Sequence, residues 1–144
     1  MIEYSAMPRL IDPVLVCAFQ GWNDAAGAAT DVIDHLISTW QATQIGAFDP
    51  EDYYDYQVNR PVITIDDAGM RQLTWPSTRI YVARPTGALR DVICVQGIEP
   101  NIRWRAFVAE ILEMAENLST SLLVTLGSLL ADVPHSRPMR VTGS

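Results

Sequence analysis

Four apolar runs of strand length constrain the fold of this chain more than any other feature: Val14 to Phe19, Arg79 to Arg84, Asp91 to Gln96 and Ser121 to Leu126. Each is bounded by residues that turn a backbone, and each is continuously apolar inside rather than alternating. A strand with one wet face alternates, so continuous runs predict strands covered on both faces, as in a mostly parallel sheet flanked by helices, with these four at its centre. Helical patterns follow the first run and the third. Ala29, Val32, Ile33, Leu36, Ile37 and Trp40 recur at three- and four-residue spacing, with Asp31, Asp34, His35 and Ser38 outside that stripe. Phe107, Val108, Ile111, Leu112, Met114, Ala115 and Leu118 are set in the same way against Glu110, Glu113, Glu116 and Asn117. Strand, helix, strand is the α/β class, and 144 residues suffice for one domain, residues 1–144. Between the two units, Val62 to Asp66 and Met70 to Trp75 read as a hairpin around Asp67-Ala68-Gly69. After Leu126 no further covering helix appears, so the domain is expected to be incomplete at its C-terminal side.

Charge narrows the function. Ten arginines and no lysine face eleven aspartates and six glutamates, a net charge of −7. That balance speaks against nucleic-acid partners, which need clustered positive charge to displace counterions. The absence of lysine excludes a Walker-type phosphate lysine and a Schiff-base lysine within these residues. The start carries an acid, Glu3, where a signal peptide would be basic, and the longest uncharged stretch, Asn117 to Ala131, is shorter than a membrane span requires. A cytoplasmic protein with no membrane partner is expected. Cys17 and Cys94, each inside an apolar run, read as free buried thiols; no metal site and no cofactor is expected.

Three of the runs end in loops rich in glycine, proline and polar side chains, and in a parallel sheet such loops leave from one edge, where α/β proteins hold ligands. They would gather Gly21, Trp22, Asn23, Asp24, Glu99, Asn101, Arg103, Asp132, His135 and Arg137 around one crevice. Glu99, Asn101, Arg103 and His135 are the catalytic candidates should the chain be an enzyme. Plainer roles stand beside these. Asn23 and Asp24 are helix-capping types, Gly21 and Gly97 free the backbone at strand ends, and Glu99 could pair with Arg103 or cap the next helix. Trp22 and Trp104 suit packing, His35 suits a solvated helix face, and Asp132 with His135 lacks the serine or cysteine nucleophile of a triad. The turn from Gly21 to Asp24 carries an acid where a phosphate cradle would not.

In the segment Phe48 to Pro61, four acids lie within seven residues and three tyrosines interleave with them. Asp52, Tyr53, Tyr54 and Tyr56 are candidates for a protein interface, because tyrosine offers large contact area at low entropic cost; an acidic loop with its rings tucked inward is the alternative.

These strings resemble the proteasome assembly chaperone 2 family, and within it the actinobacterial branch. The residues that carry the resemblance are Gly21-Trp22-Asn23-Asp24, the segment Phe48 to Asp55 with Gln57 to Pro61, Gly97 to Asn101 with Arg103-Trp104-Arg105, and Leu129 to His135 with Arg137-Pro138. The resemblance implies a three-layer α/β/α fold like that of phosphorylases and hydrolases. It also implies a longer family domain of which this chain is an N-terminal portion, and a non-enzymatic assembly-chaperone role with protein partners, proteasome-related ones among them. It brings no catalytic residue with it. A binding protein that forms homo-oligomers is therefore expected; the alternative is a phosphorylase- or hydrolase-like enzyme acting on a small polar metabolite in the crevice. A sheet lacking its later strands is expected to be marginal and prone to associate.

Overall fold

The structure, a computed structural model, describes residues 1–134, 136–138 and 140–143. Among the described residues, eight strands and two α-helices follow the order β1 (Ile2–Tyr4), β2 (Val14–Gln20), α1 (Ala28–Thr39), β3 (Thr43–Phe48), β4 (Val62–Ile65), β5 (Arg71–Thr74), β6 (Arg79–Ala83), β7 (Val92–Ile98), α2 (Trp104–Asn117) and β8 (Leu122–Thr125). Six strands form one sheet in the order β1-β3-β6-β7-β2-β8, and β4 pairs with β5 alone.

The α/β class holds, but the sheet is mixed rather than mostly parallel. Only β2–β7 and β2–β8 run parallel; β1–β3, β3–β6 and β6–β7 are antiparallel. For the β6–β7 pair the cause is the short link of residues 84–91. A parallel neighbour needs a crossover of a dozen or more residues, so this link can only reverse the chain. Pro85 and Gly87, the latter at φ 79°, make that reversal. The run Ser121 to Leu126 also departs from expectation: β8 is the edge strand and leaves Leu122 exposed.

Alternation along β2 divides the core between the two faces of the sheet. Leu15 and Cys17 join Ile93 and Val95 of β7 beneath Phe107, Ile111 and Met114 of α2. Val16 and Ala18 join Cys94 beneath Ala29 and Ile33 of α1. Each helix thus covers one face, although each apolar stripe is wider than the surface it covers. Val32 of α1 and Val108 and Leu112 of α2, expected inside, are exposed.

The edge opposite the loops is tied down by Asp91, which is buried. It accepts from Arg84 Nε and Nη2, both at 2.7 Å, and from the Ile11 amide at 2.7 Å. The guanidinium, with help from the amide and against the effect of burial, holds the Asp91 carboxyl below the usual range. Both thiols are buried, and burial pushes Cys17 and Cys94 up to about 11, so neither is a poised nucleophile.

Candidate functional site

Strands β7, β2 and β8 lie side by side and parallel, so the loops after them leave one edge, and the structure interlocks these loops. Glu99, after β7, accepts from the amides of Trp22 (3.1 Å) and Asn23 (3.4 Å), while its own amide donates to the Gln20 carbonyl at 2.8 Å. A Cβ at Gly21 would collide with the Glu99 carboxyl group and displace it from these amides. Gly97 is held as tightly, because a Cβ there would strike both the side chain and the Cα of Thr78. The loop after β8 is fastened by Ser128, whose amide donates to the Asn23 carbonyl (2.9 Å) and whose carbonyl accepts from the Ala25 amide (3.0 Å).

Asp24 works as a cap from an unusual distance. A one-turn 3-10 segment, Ala25–Gly27, separates it from α1, yet its Oδ1 accepts from the Ala29 amide (2.7 Å) and the Thr30 amide (3.4 Å), and its Oδ2 from the Thr30 hydroxyl (2.6 Å). Two of the donors that a helix start leaves unpaired are thereby satisfied. Burial opposes ionisation of Asp24, but the bonds from Thr30, Ala29 and Ser128 outweigh it and hold its carboxyl below the ordinary value.

The other candidates part company from this group. Asn101 braces the tyrosine segment, its Oδ1 accepting from the Asp55 amide (2.9 Å) and the Asn59 side chain (2.8 Å). Arg103 makes no pair with Glu99. It occupies the left-handed region (φ 55°) at the start of α2, pairs with Asp52 and lies 5.7 Å from the centroid of the Tyr53 ring. Asp52 also meets the amino group of Met1, and that group first and Arg103 second hold its carboxyl below the usual range. Asp132 and Arg137 are exposed, and His135 lies outside the described residues. Trp22 is 84% exposed at the mouth of the loops. Among the described residues, no group of three or more His, Cys, Asp or Glu is placed to hold a metal ion, and no helix is long and apolar enough to cross a membrane.

The tyrosine segment corrects the expectation of an exposed aromatic surface. Tyr53 is buried in a ring cluster with Phe48 (centroids 6.0 Å apart) and Phe107 (5.2 Å). Tyr54 is buried as well, its hydroxyl 2.6 Å from Thr78 Oγ1 and 3.0 Å from the Ile98 carbonyl. Tyr56 is half-buried, its ring 4.9 Å from that of Trp75. The Tyr53 ring thus fills the gap between β3 and α2, and Tyr53 and Tyr54 follow the inward-tucked alternative while Tyr56 does so only in part.

The exposed apolar surface lies elsewhere, on the β4–β5 hairpin. Ile63 pairs with Leu73 and Ile65 with Arg71, so Ile63, Ile65 and Leu73 share one face of the ribbon, and they are 62%, 69% and 53% exposed. Val62 and Thr74 share the opposite face, which looks across a cleft of about 530 Å³ toward the carboxyl ends of β2 and β7. None of the charged crevice candidates lines that cleft; its charged residues are Arg60 and Arg79. Sequence reasoning missed both arginines. The signal available was the hairpin itself, which begins just after Arg60 and ends just before Arg79.

The model of the PAC2 family matches residues 18–144. The chain is similar to the crystal structure of a PAC2 family protein from Streptomyces avermitilis, with 51% identity and a TM-score of 0.82 over 88% of this chain and 54% of that one. It is similar also to a proteasome-assembly chaperone homologue from Mycobacterium tuberculosis, with 53% identity and a TM-score of 0.81 over 87% of this chain and 53% of that one. A Mycobacterium tuberculosis protein of unknown function shares 27% identity at a TM-score of 0.83, over 96% of this chain and 50% of that one. The chain therefore spans about half the length of these solved structures. No curated protein matches it.

Proposed function

Because the chain belongs to the PAC2 family, we propose that it is a protein-binding, assembly-chaperone-like protein that acts without catalysis or a cofactor and associates with further copies of itself. It is read as the N-terminal part of a longer three-layer α/β/α domain, cytoplasmic, with a proteasome-related protein as its other partner. The observation that carries the reading is the hairpin. A two-stranded ribbon is marginal on its own in water, and this one turns an apolar face of Ile63, Ile65 and Leu73 outward. Covering three such side chains contributes about 5 kcal/mol at most, which offsets only the low end of the cost of association, so a partner must bury further surface beside them. The relative from Mycobacterium tuberculosis that is a proteasome-assembly chaperone homologue supports the choice of partner class. Trp22, exposed beside the interlocked loops, is a second point of contact under this reading.

The enzyme alternative is weaker because the three of its four candidates that lie among the described residues are each engaged. Glu99 accepts from two backbone amides, Asn101 from Asp55 and Asn59, and Arg103 pairs with Asp52. A general base spends its acceptor capacity on a substrate proton rather than on its own loop.

Light scattering of the chain across a concentration series tests the proposal, with the Ile63→Glu/Leu73→Glu double variant run alongside. The expected result is an oligomer for the native sequence and a folded monomer for the variant. A native chain that stays monomeric above about 100 μM, with no binding to purified proteasome α-type subunits, overturns it.

A further inference from the structure

We propose that the cleft between the root of the hairpin and the carboxyl ends of β2 and β7 binds a small organic anion, one bearing a phosphate or carboxylate on a flat, apolar body. The site is independent of the partner read for the hairpin, because successive residues of a strand point to opposite faces. Ile63, Ile65 and Leu73 turn away from the cleft, while Val62 and Thr74 line it.

The cleft's volume, about 530 Å³, falls within the range of small-molecule sites. Its charge is one-sided. The chain is acidic overall, yet the only charged side chains lining this cleft are two arginines, Arg60 and Arg79. Three of the eight other arginines meet carboxylates: Arg84 pairs with Asp91, Arg90 with Asp12 and Arg103 with Asp52. Arg60 and Arg79 have no such partner among the described residues. Arg79 is also held in place, its Nε donating to the Ser77 hydroxyl at 3.1 Å, which leaves the terminal nitrogens of the fork to face a ligand. A guanidinium fork matches a carboxylate or phosphate with two parallel bonds, and two forks in one cleft supply both charge and direction.

The remaining lining supplies a site for the ligand's body. Trp75 forms an indole wall backed by the Tyr56 ring at 4.9 Å, with Val58, Pro76 and Ile98 beside it. Gln96 stands directly across the β6–β7 ladder from Arg79, and its amide nitrogen is oriented by a 2.7 Å bond to Asp34. An anion between the two arginines would thus lie next to a flat apolar surface, which suits an aromatic acid or an aryl phosphate more than inorganic phosphate alone.

Quenching of tryptophan fluorescence tests this, with phenyl phosphate, benzoate, inorganic phosphate and uncharged phenol as probes, and Trp75→Phe to assign the signal. Phenyl phosphate or benzoate should saturate the site at least tenfold more tightly than phenol or inorganic phosphate. The Arg60→Gln/Arg79→Gln double variant should lose that preference at least tenfold; both arginines are exposed, so it should melt with the native chain. Tighter binding of phenyl phosphate than of benzoate assigns a phosphate ligand, and the reverse a carboxylate. No saturation by either aryl anion at about 1 mM overturns the proposal, as does binding that the double variant retains. So does a double variant that changes oligomeric state while the native chain ignores every anion, for the arginines would then belong to a carboxylate of a second copy.

Discussion

Isoleucine and valine build the two sheets of this molecule, and the sheets treat them in opposite ways. In β7, Ile93 and Val95 have no accessible surface, whereas in β4, Ile63 and Ile65 are mostly exposed. Residue type and strand geometry are the same in both places. The difference is the number of layers around the strand: β7 has a strand on each side and a helix over each face, while β4 has one strand beside it and nothing over Ile63. β-propensity makes a strand, and only neighbours bury it. An apolar strand face with no neighbour in its own chain is therefore left exposed.

Truncation tests that contrast most sharply. Ile93→Ala should cost about 2–5 kcal/mol in urea unfolding, because it opens a cavity in a packed core. Ile63→Ala should cost less than about 0.5 kcal/mol in dilute solution, since that side chain already meets water. If Ile63→Ala proves costly only at high concentration, the missing cover is a second copy. If it costs as much as Ile93→Ala at every concentration, the contrast fails.

A smaller effect separates the acids that anchor the two regions. Asp91 is buried beneath Arg84 and the Ile11 amide, and Asp91→Ala should lower stability by about 2 kcal/mol at neutral pH by leaving that amide without its acceptor. Its folded carboxyl titrates below its unfolded one. The stabilisation is therefore complete above the unfolded value near 3.8 and is lost as pH falls through the lower folded value. Native chain and variant should converge in stability as acid removes the charge; a gap that persists unchanged below pH about 2 would show that the charge is not what matters. Asp66, in the hairpin turn, also accepts backbone bonds, from Ala68 (3.0 Å) and Met70 (2.9 Å), but in full contact with water. Asp66→Ala should loosen the hairpin and leave the melting of the six-stranded sheet unchanged.

The same contrast explains what could be read from the sequence. The α/β class, both helices and the hairpin were legible because their periodicities are local. The direction of β6 against β7 also has its signal in the sequence, since residues 84–91 cannot hold a crossover helix. β3 was missed because Thr43-Gln-Ile-Gly-Ala-Phe has no apolar run, and β1 because it has only three residues. At the loops, Asn23, Asp24 and Glu99 lie after strands that share one edge, but no pattern tells that Glu99 binds the Trp22 and Asn23 amides rather than Arg103. Arg60 and Arg79 line one cleft at the root of a hairpin that separates them in sequence, a juxtaposition that periodicity does not encode.

The tyrosine segment sharpens the comparison at the smallest scale, because Tyr53 and Tyr54 are adjacent and equally buried, yet their hydroxyls differ. Tyr54 contacts Thr78 and the Ile98 carbonyl, so Tyr54→Phe strands a fully buried Thr78 hydroxyl and should cost about 1–2 kcal/mol. The Tyr53 hydroxyl is buried without a hydrogen-bond partner among the described residues, and burial together with the nearby Glu110 carboxylate pushes its pKa well above the ordinary value. Its ring, packed against Phe48 and Phe107, carries the stabilisation, so Tyr53→Phe should change unfolding by less than about 0.5 kcal/mol or raise stability slightly. Equal losses in the two variants would mean that the Tyr53 hydroxyl bonds Glu110. In that case the segment would be held by a buried polar contact at each of these two tyrosines, and Glu110 of α2 would share in anchoring it.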